Sequence, residues 1–183
     1  MGVSMVEITV SGHPGSGTST LVSGLMNHFD WSSLNGGAVF REEAKRRGMS
    51  LADFGALCAT DLEVDRQLDA LLQERMSAEG AEQIVESRLS GWWAYRLELD
   101  CVRMWVDVTD EERARRVVAR EGGTFDQALA ANANRTAVDA ERFTELYGIL
   151  PEQREPYTIV LDATHLSREQ VLAAAIEILE ASS

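Results

Sequence analysis

Lysine is almost missing from this 183-residue chain: Lys45 stands alone against sixteen arginines. Any cation that grips an anion here is therefore, in the main, a planar guanidinium that binds oxygens in pairs. Proline is scarce, with three residues, and no repeat, low-complexity tract or interdomain linker interrupts the chain. One domain over residues 1–183, large enough to bury a sizeable core, is expected. Cysteine is scarce too. Cys58 and Cys101 lack metal-ligand spacing, and with no secretion signal in view they read as reduced thiols. No run is long and apolar enough to cross a membrane, so a cytoplasmic location and no membrane partner are expected. Met1-Gly2 invites lipidation, but Val6 stands where that signal needs serine or threonine. Positive charge is also short. The net charge of −13 repels a duplex and excludes a general partner among nucleic-acid polymers. It does not exclude a nucleotide, which feels the local field of its own cleft.

What is present is a glycine loop. Val6 to Val10 reads as a buried strand, Leu21 to Phe29 as a helix, and Ser11-Gly12-His13-Pro14-Gly15-Ser16-Gly17-Thr18-Ser19-Thr20 lies between them. Strand, glycine loop, helix is the setting of a phosphate-binding loop, over residues 12–20. Its glycines let successive N–H groups turn inward to phosphate oxygens, and the helix adds its positive dipole end. Ser19 sits where a hydroxyl would ligand Mg²⁺. Thr18 occupies the usual lysine position, so a cation has to come from elsewhere.

The rest alternates. Trp31 to Gly37 reads as a loop turning at Gly36-Gly37, and a helix through Ala44 and Arg47 stops at Gly48. Ser50 to Asp53, Thr60 to Glu63, Thr109 to Glu112 and Ser167 to Gln170 resemble helix-start boxes. The second opens a helix with Val64, Leu68, Leu71 and Leu72 on one face and Asp65 and Asp69 on another. Gln83 to Glu86, Val102 to Val108 and Tyr157 to Asp162 read as buried strands. Glu86, at a strand end beside the loop, is where a Mg²⁺-organising acid belongs. Arg113, Arg116 and Arg120 share one helical face, and Arg135 and Arg142 share another. Such arginines either form a solvated ion-paired surface or cover a phosphate. The alternation predicts an α/β, three-layer P-loop NTPase fold with a central parallel sheet of about five strands.

At this point the chain resembles the archaeal-type cytidylate kinases among the nucleoside monophosphate kinases, along nearly its whole length. The resemblance rests on Gly17-Thr18-Ser19-Thr20, on Phe40-Arg41-Glu42-Glu43-Ala44-Lys45 with Arg47-Gly48-Met49-Ser50-Leu51, and on Asp65 to Asp69. It continues through Val85-Glu86-Ser87-Arg88 and Arg113 to Glu121, and ends with Glu141 to Gly148. It implies a helical monophosphate-binding region at about 36–80 and a lid at about 113–145. Ser87 replaces the family's glycine, and Asn132 to Asp139 departs from a stretch rich in Arg, Glu and Ser.

The resemblance implies transfer of the ATP γ-phosphoryl group to CMP or dCMP, with ATP and Mg²⁺ held by Gly12 to Thr20 and Glu86. Arg41 and Arg88 are expected on the acceptor phosphate. Arg116, Arg135 and Arg142, ahead of Arg113 and Arg120, are expected in the lid. Asp65 and Asp69 either read a cytosine amino group or are solvated carboxylates, and Phe40 and Trp92 either stack on a base or belong to the core. Three other readings stay open: a kinase of a modified cytidylate, a sugar or another small acceptor; a nucleotide-binding protein without catalysis; and an acidic interaction module. A monomer or a homodimer suits all of them.

Overall fold

In the computed structural model, which describes residues 5–182, five strands form one parallel sheet. Met1 and Gly2 lie outside the described residues. The spatial order is β2 (Ser33–Asn35), β3 (Ile84–Glu86), β1 (Ile8–Gly12), β4 (Val102–Asp107) and β5 (Ile159–Asp162). Every residue of β1 is buried, as a central strand covered on both faces must be. Val10 pairs with Glu86 on one side and Met104 on the other. That register delivers Glu86 to the same sheet edge as the glycine loop.

The strand β2 corrects the expected loop over Trp31 to Gly37. It is too short for a periodic signal, and its pairing with β3 and the burial of Leu34 create it. Helix α1 (Thr18–Phe29) follows the loop, and helices α2 (Gly36–Arg46), α3 (Leu51–Thr60) and α4 (Leu62–Ser77) follow β2. Then come α5 (Ser90–Arg96), α6 (Asp110–Glu121), α7 (Phe125–Tyr147) and α8 (Arg168–Ser182).

Apolar spacing decides which face each helix covers. Leu21, Val22 and Leu25 of α1 and Val171, Ala175 and Leu179 of α8 pack on Ile8, Val10 and Met104. On the opposite face Trp92 and Trp93 of α5, Leu72 and Met76 of α4 and Phe143 of α7 meet Leu34 and Val85. A third cluster, Ala44, Phe54, Cys58 and Val64, ties α2, α3 and α4 to one another. Leu71, expected on the buried face of α4, is exposed.

The helix starts follow their capping chemistry. Ser50 accepts from the Asp53 N–H at 3.1 Å, and Thr109 accepts from the Glu112 N–H at 3.4 Å. Ser167 and Gln170 bond reciprocally, at 3.2 and 2.8 Å. The box expected at Thr60 moves by one residue. Asp61 caps α4 through the Glu63 N–H at 3.0 Å, because Thr60 ends α3 and donates back to the Leu57 carbonyl.

Candidate functional site

The loop is shaped by its glycines. Gly15 and Gly17 adopt φ of +86° and +89°, a region that L side chains rarely occupy. At Gly12 a Cβ would lie 3.0 Å from the Val106 carbonyl, so the sheet itself excludes a side chain there. Ser16 closes the turn, its hydroxyl donating to the His13 carbonyl at 2.7 Å.

Two arginines of α6 hold this loop through its carbonyls. Arg113 is 2% exposed and donates to the Pro14 carbonyl at 2.8 Å and to Asp110 at 2.6 Å. Arg116 donates to the Ser16 carbonyl at 3.0 Å and to the Ala163 carbonyl at 2.6 Å. A guanidinium thus stands against a loop that lacks its usual lysine.

Two clefts meet at the loop. The first, about 510 Å³, lies between α2, α4, α7 and the end of β3. Ser19 and Glu86 stand at its loop end, with the Ser19 hydroxyl donating to Glu86 at 2.8 Å. Its walls carry Arg41, Arg88 and Arg142 as cations, Phe40 and Phe143 as aromatics, and Asp65 and Asp69 as carboxylates. Arg88 is paired with Asp139 at 3.2 Å, and Arg142 lies 3.6 Å from Asp65 and 3.2 Å from Asp139. Burial lowers the pKa of Arg88, and Asp139 opposes that shift. The guanidinium remains charged, because arginine starts so high.

The two aspartates differ. Asp65 is raised by burial, against the attraction of Arg142. Asp69 is pushed up to about 6 by burial, although the Tyr147 hydroxyl donates to it at 2.6 Å and favours its ionised form.

The second cleft, about 470 Å³, opens on the other side of the loop. Gly15, Gly17 and Thr20 line it on the loop side, with Arg116, Arg120 and Arg168 as cations and Glu112 as a carboxylate. One loop is therefore flanked by two cation-lined clefts.

Several expected residues are placed differently from the others. Trp92 is 4% exposed and donates its indole N–H to the Leu150 carbonyl at 3.0 Å, so it belongs to the core and not to the cleft. Arg113 lies under the loop, because its guanidinium is consumed by Pro14 and Asp110. His13 lines neither cleft; its ring meets Trp105 edge-on at 5.0 Å, and burial lowers its pKa. Arg135 is exposed, on a smaller hollow beside Arg88 and Arg142. Sequence reasoning missed Asn35, which caps α2 by accepting from the Ala38 N–H at 2.7 Å, and Gly36 and Gly37 beside it. A glycine pair after an asparagine was the available signal. It also missed Tyr147 and Arg168, which are single residues on long helices.

Among known families, the model described as "AAA domain" matches residues 11–128. The cytidylate kinase of Thermococcus kodakarensis is 35% identical over 178 residues, covering 96% of this chain and 90% of that protein. That of Pyrococcus abyssi is 36% identical over 166 residues, covering 91% and 89%. Among solved structures, TT1252 from Thermus thermophilus aligns with a TM-score of 0.64 at 22% identity, covering 97% of both chains. The shikimate kinase of Bacteroides thetaiotaomicron aligns at 0.61 and 14%, covering 97% of this chain and 99% of that one. These two show the shared fold. With its glycine loop between two cationic clefts, the chain belongs to the cytidylate kinase family of P-loop phosphotransferases.

Proposed function

We propose that the protein is a cytoplasmic kinase that moves the γ-phosphoryl group of ATP to the phosphate of CMP or dCMP. The observation that carries this reading is the pair of clefts on opposite sides of one loop. A donor nucleotide fits the side of Arg116 and Arg120, and an acceptor fits the side of Arg41, Arg88 and Arg142. Small nucleotides are thus its partners.

The Ser19 hydroxyl and Glu86 carboxylate offer hard oxygen donors 2.8 Å apart, the type Mg²⁺ takes, and Glu86 would act through water. Among the described residues no cluster of three His, Cys, Asp or Glu side chains forms a closed cage, which suits an ion shared with substrate phosphates. When bound, Mg²⁺ neutralises charge on the donor phosphates.

In the reaction, an oxygen of the acceptor phosphate bonds to the γ-phosphorus while the bond to the ADP oxygen breaks. The acceptor phosphate is already ionised near neutral pH, so positioning and charge stabilisation suffice. Arg41 and Arg88 fix the acceptor phosphate. Arg142 and Arg135 on α7, with Arg116 and Arg120 on α6, screen the transferring group and exclude water. Phe40 stacks on the base, and Asp65 and Asp69 receive its amino group.

Ser87 favours a second reading, a modified cytidylate. Its hydroxyl lies buried without a hydrogen-bond partner beside this cleft.

The test is ATP consumption with Mg²⁺ and CMP, dCMP, UMP, AMP or GMP, each against no acceptor. CMP or dCMP should lead. Arg41→Ala and Arg88→Ala should then raise the acceptor KM by on the order of tenfold or more, with the ATP KM little changed. Turnover with none of the five overturns the reading in favour of a modified or non-nucleotide acceptor. ATP binding with no acceptor found would indicate a silent nucleotide-binding protein.

A further inference from the structure

At the far end of the acceptor cleft, one side chain of α7 reaches a carboxylate of α4. The Tyr147 hydroxyl donates to Asp69 Oδ2 at 2.6 Å. The tyrosine is fixed by the indole of Trp93, which it meets edge-on at 4.9 Å. We infer that Tyr147 is a positioning residue for base selection, occupying Asp69 Oδ2 so that Oδ1 is left as acceptor for an exocyclic amino group. This rests on the acceptor reading above and deepens it.

The chemistry follows from donor and acceptor counting. An ionised carboxylate only accepts. An amino group at that position donates to it, whereas a carbonyl there sets lone pair against lone pair. A site built for one such group rejects the other strongly, because a buried polar atom is left unpaired. Protonated Asp69 can donate, and the discrimination is lost.

Asp69 is pushed up to about 6 by burial, so this change falls near the working range. The Tyr147 bond, and more weakly the Trp93 side chain, favour the ionised form and oppose the burial. Asp65 on the same helix raises the Asp69 pKa, and Arg142 on α7 lowers it. Arg66 on α4 faces Tyr147, and Asp139 on α7 acts on Asp65. Arg41 on α2, Glu86 at the end of β3 and Arg88 just after it complete the charges around the cleft.

The measurement is the ratio of kcat/KM for CMP to that for UMP, from pH 5 to pH 8. The acceptor phosphate titrates in both substrates alike, so the ratio cancels it. In the unmodified protein the ratio should fall as the pH drops through about 6. In Tyr147→Phe that fall should move to higher pH, and the ratio at pH 7 should drop by on the order of tenfold. Asp69→Asn should show a low ratio that is flat with pH. The ATP KM should hold within about twofold, which a general loosening of the fold would not give.

The Asp69 carboxyl is also titrated directly, by ¹³C resonance, in the unmodified protein and in Tyr147→Phe. A midpoint that rises in the variant supports the inference. A midpoint that stays put overturns it, as does a pH-independent ratio in the unmodified protein. Should neither CMP nor UMP be turned over, the acceptor reading fails, and the carboxyl titration alone decides the role of Tyr147.

Discussion

Replacing Arg113 should damage ATP binding through the loop it supports and leave the chemical step nearly intact. The side chain is 2% exposed, and one of its nitrogens holds the Pro14 carbonyl at 2.8 Å. In Arg113→Met that buried carbonyl loses its donor, a cost of about 1–3 kcal/mol. The second bond, to Asp110, matters less. That carboxylate is 68% exposed and water replaces the arginine, so the loss is about 1 kcal/mol or less. The sum is about 1–4 kcal/mol of stability, read from urea denaturation of the two proteins. A separate, local effect falls on the loop. Gly15 packs against the Arg113 backbone, where a Cβ would come within 3.1 Å of the carbonyl oxygen. Loss of the Pro14 tether lets this contact open, and the loop N–H groups disperse. The ATP KM should rise by on the order of tenfold, with kcat at saturating ATP changed only a few-fold. Arg113→Lys, which keeps a charged donor group, should recover part of the loss. The reasoning is refuted if kcat falls about a thousandfold while the ATP KM stays constant. That pattern marks an arginine acting on transition-state charge.

Two further expectations concern the scaffold. Glu43 is buried and accepts from Arg46 at 2.6 and 2.7 Å and from Arg47 at 2.7 Å, bonds that hold its carboxyl down to about 2 against an ordinary 4.5. Its stabilisation is therefore complete above about pH 4.5 and is lost as the pH falls toward 2. Glu43→Gln should cost on the order of 1–3 kcal/mol at pH 7 and flatten this acid limb, since the half-buried Arg47 loses its charged partner while Arg46 is well solvated. Denaturation curves of equal midpoint at pH 7 would contradict this. Gly91→Ala should cost on the order of 1–3 kcal/mol by overpacking. A Cβ there would sit 2.3 Å from Tyr157 Cε1, and Tyr157 is tethered to the Pro151 carbonyl. An unchanged melting temperature would show that the ring moves aside freely.

The parts that were legible in the sequence are those written locally. The glycine loop, the capping residues at Ser50, Thr109 and Ser167, and four of the strands are each a short pattern with its own physical cause. The pairing of Ser19 with Glu86 was also readable, because both stand at the end of a buried strand or the start of its helix. β2 was not, since three residues acquire strand geometry only from a neighbour 51 positions away in the register Ser33 to Ile84. The arginines illustrate the same limit. Helical spacing puts Arg113, Arg116 and Arg120 on one face, but spacing cannot say that Arg113 is sealed beneath the loop while Arg120 stays exposed beside Glu121. Trp92 likewise follows Arg88 by four positions in sequence, yet α5 turns it into the core. Tyr147 gave no sign at all, because its partner Asp69 is 78 residues away.

The shortage of lysine has an effect on how the site meets its surroundings. Every cation lining the two clefts is a guanidinium, and Lys45 lines neither. Guanidinium groups do not give up their protons within any range where the protein is folded. The positive field around the loop is consequently a fixed quantity, insensitive to acidity. Carboxylates and the substrates' own phosphates are left as the groups that respond to pH. Reagents that modify lysine amines find no target lining either cleft.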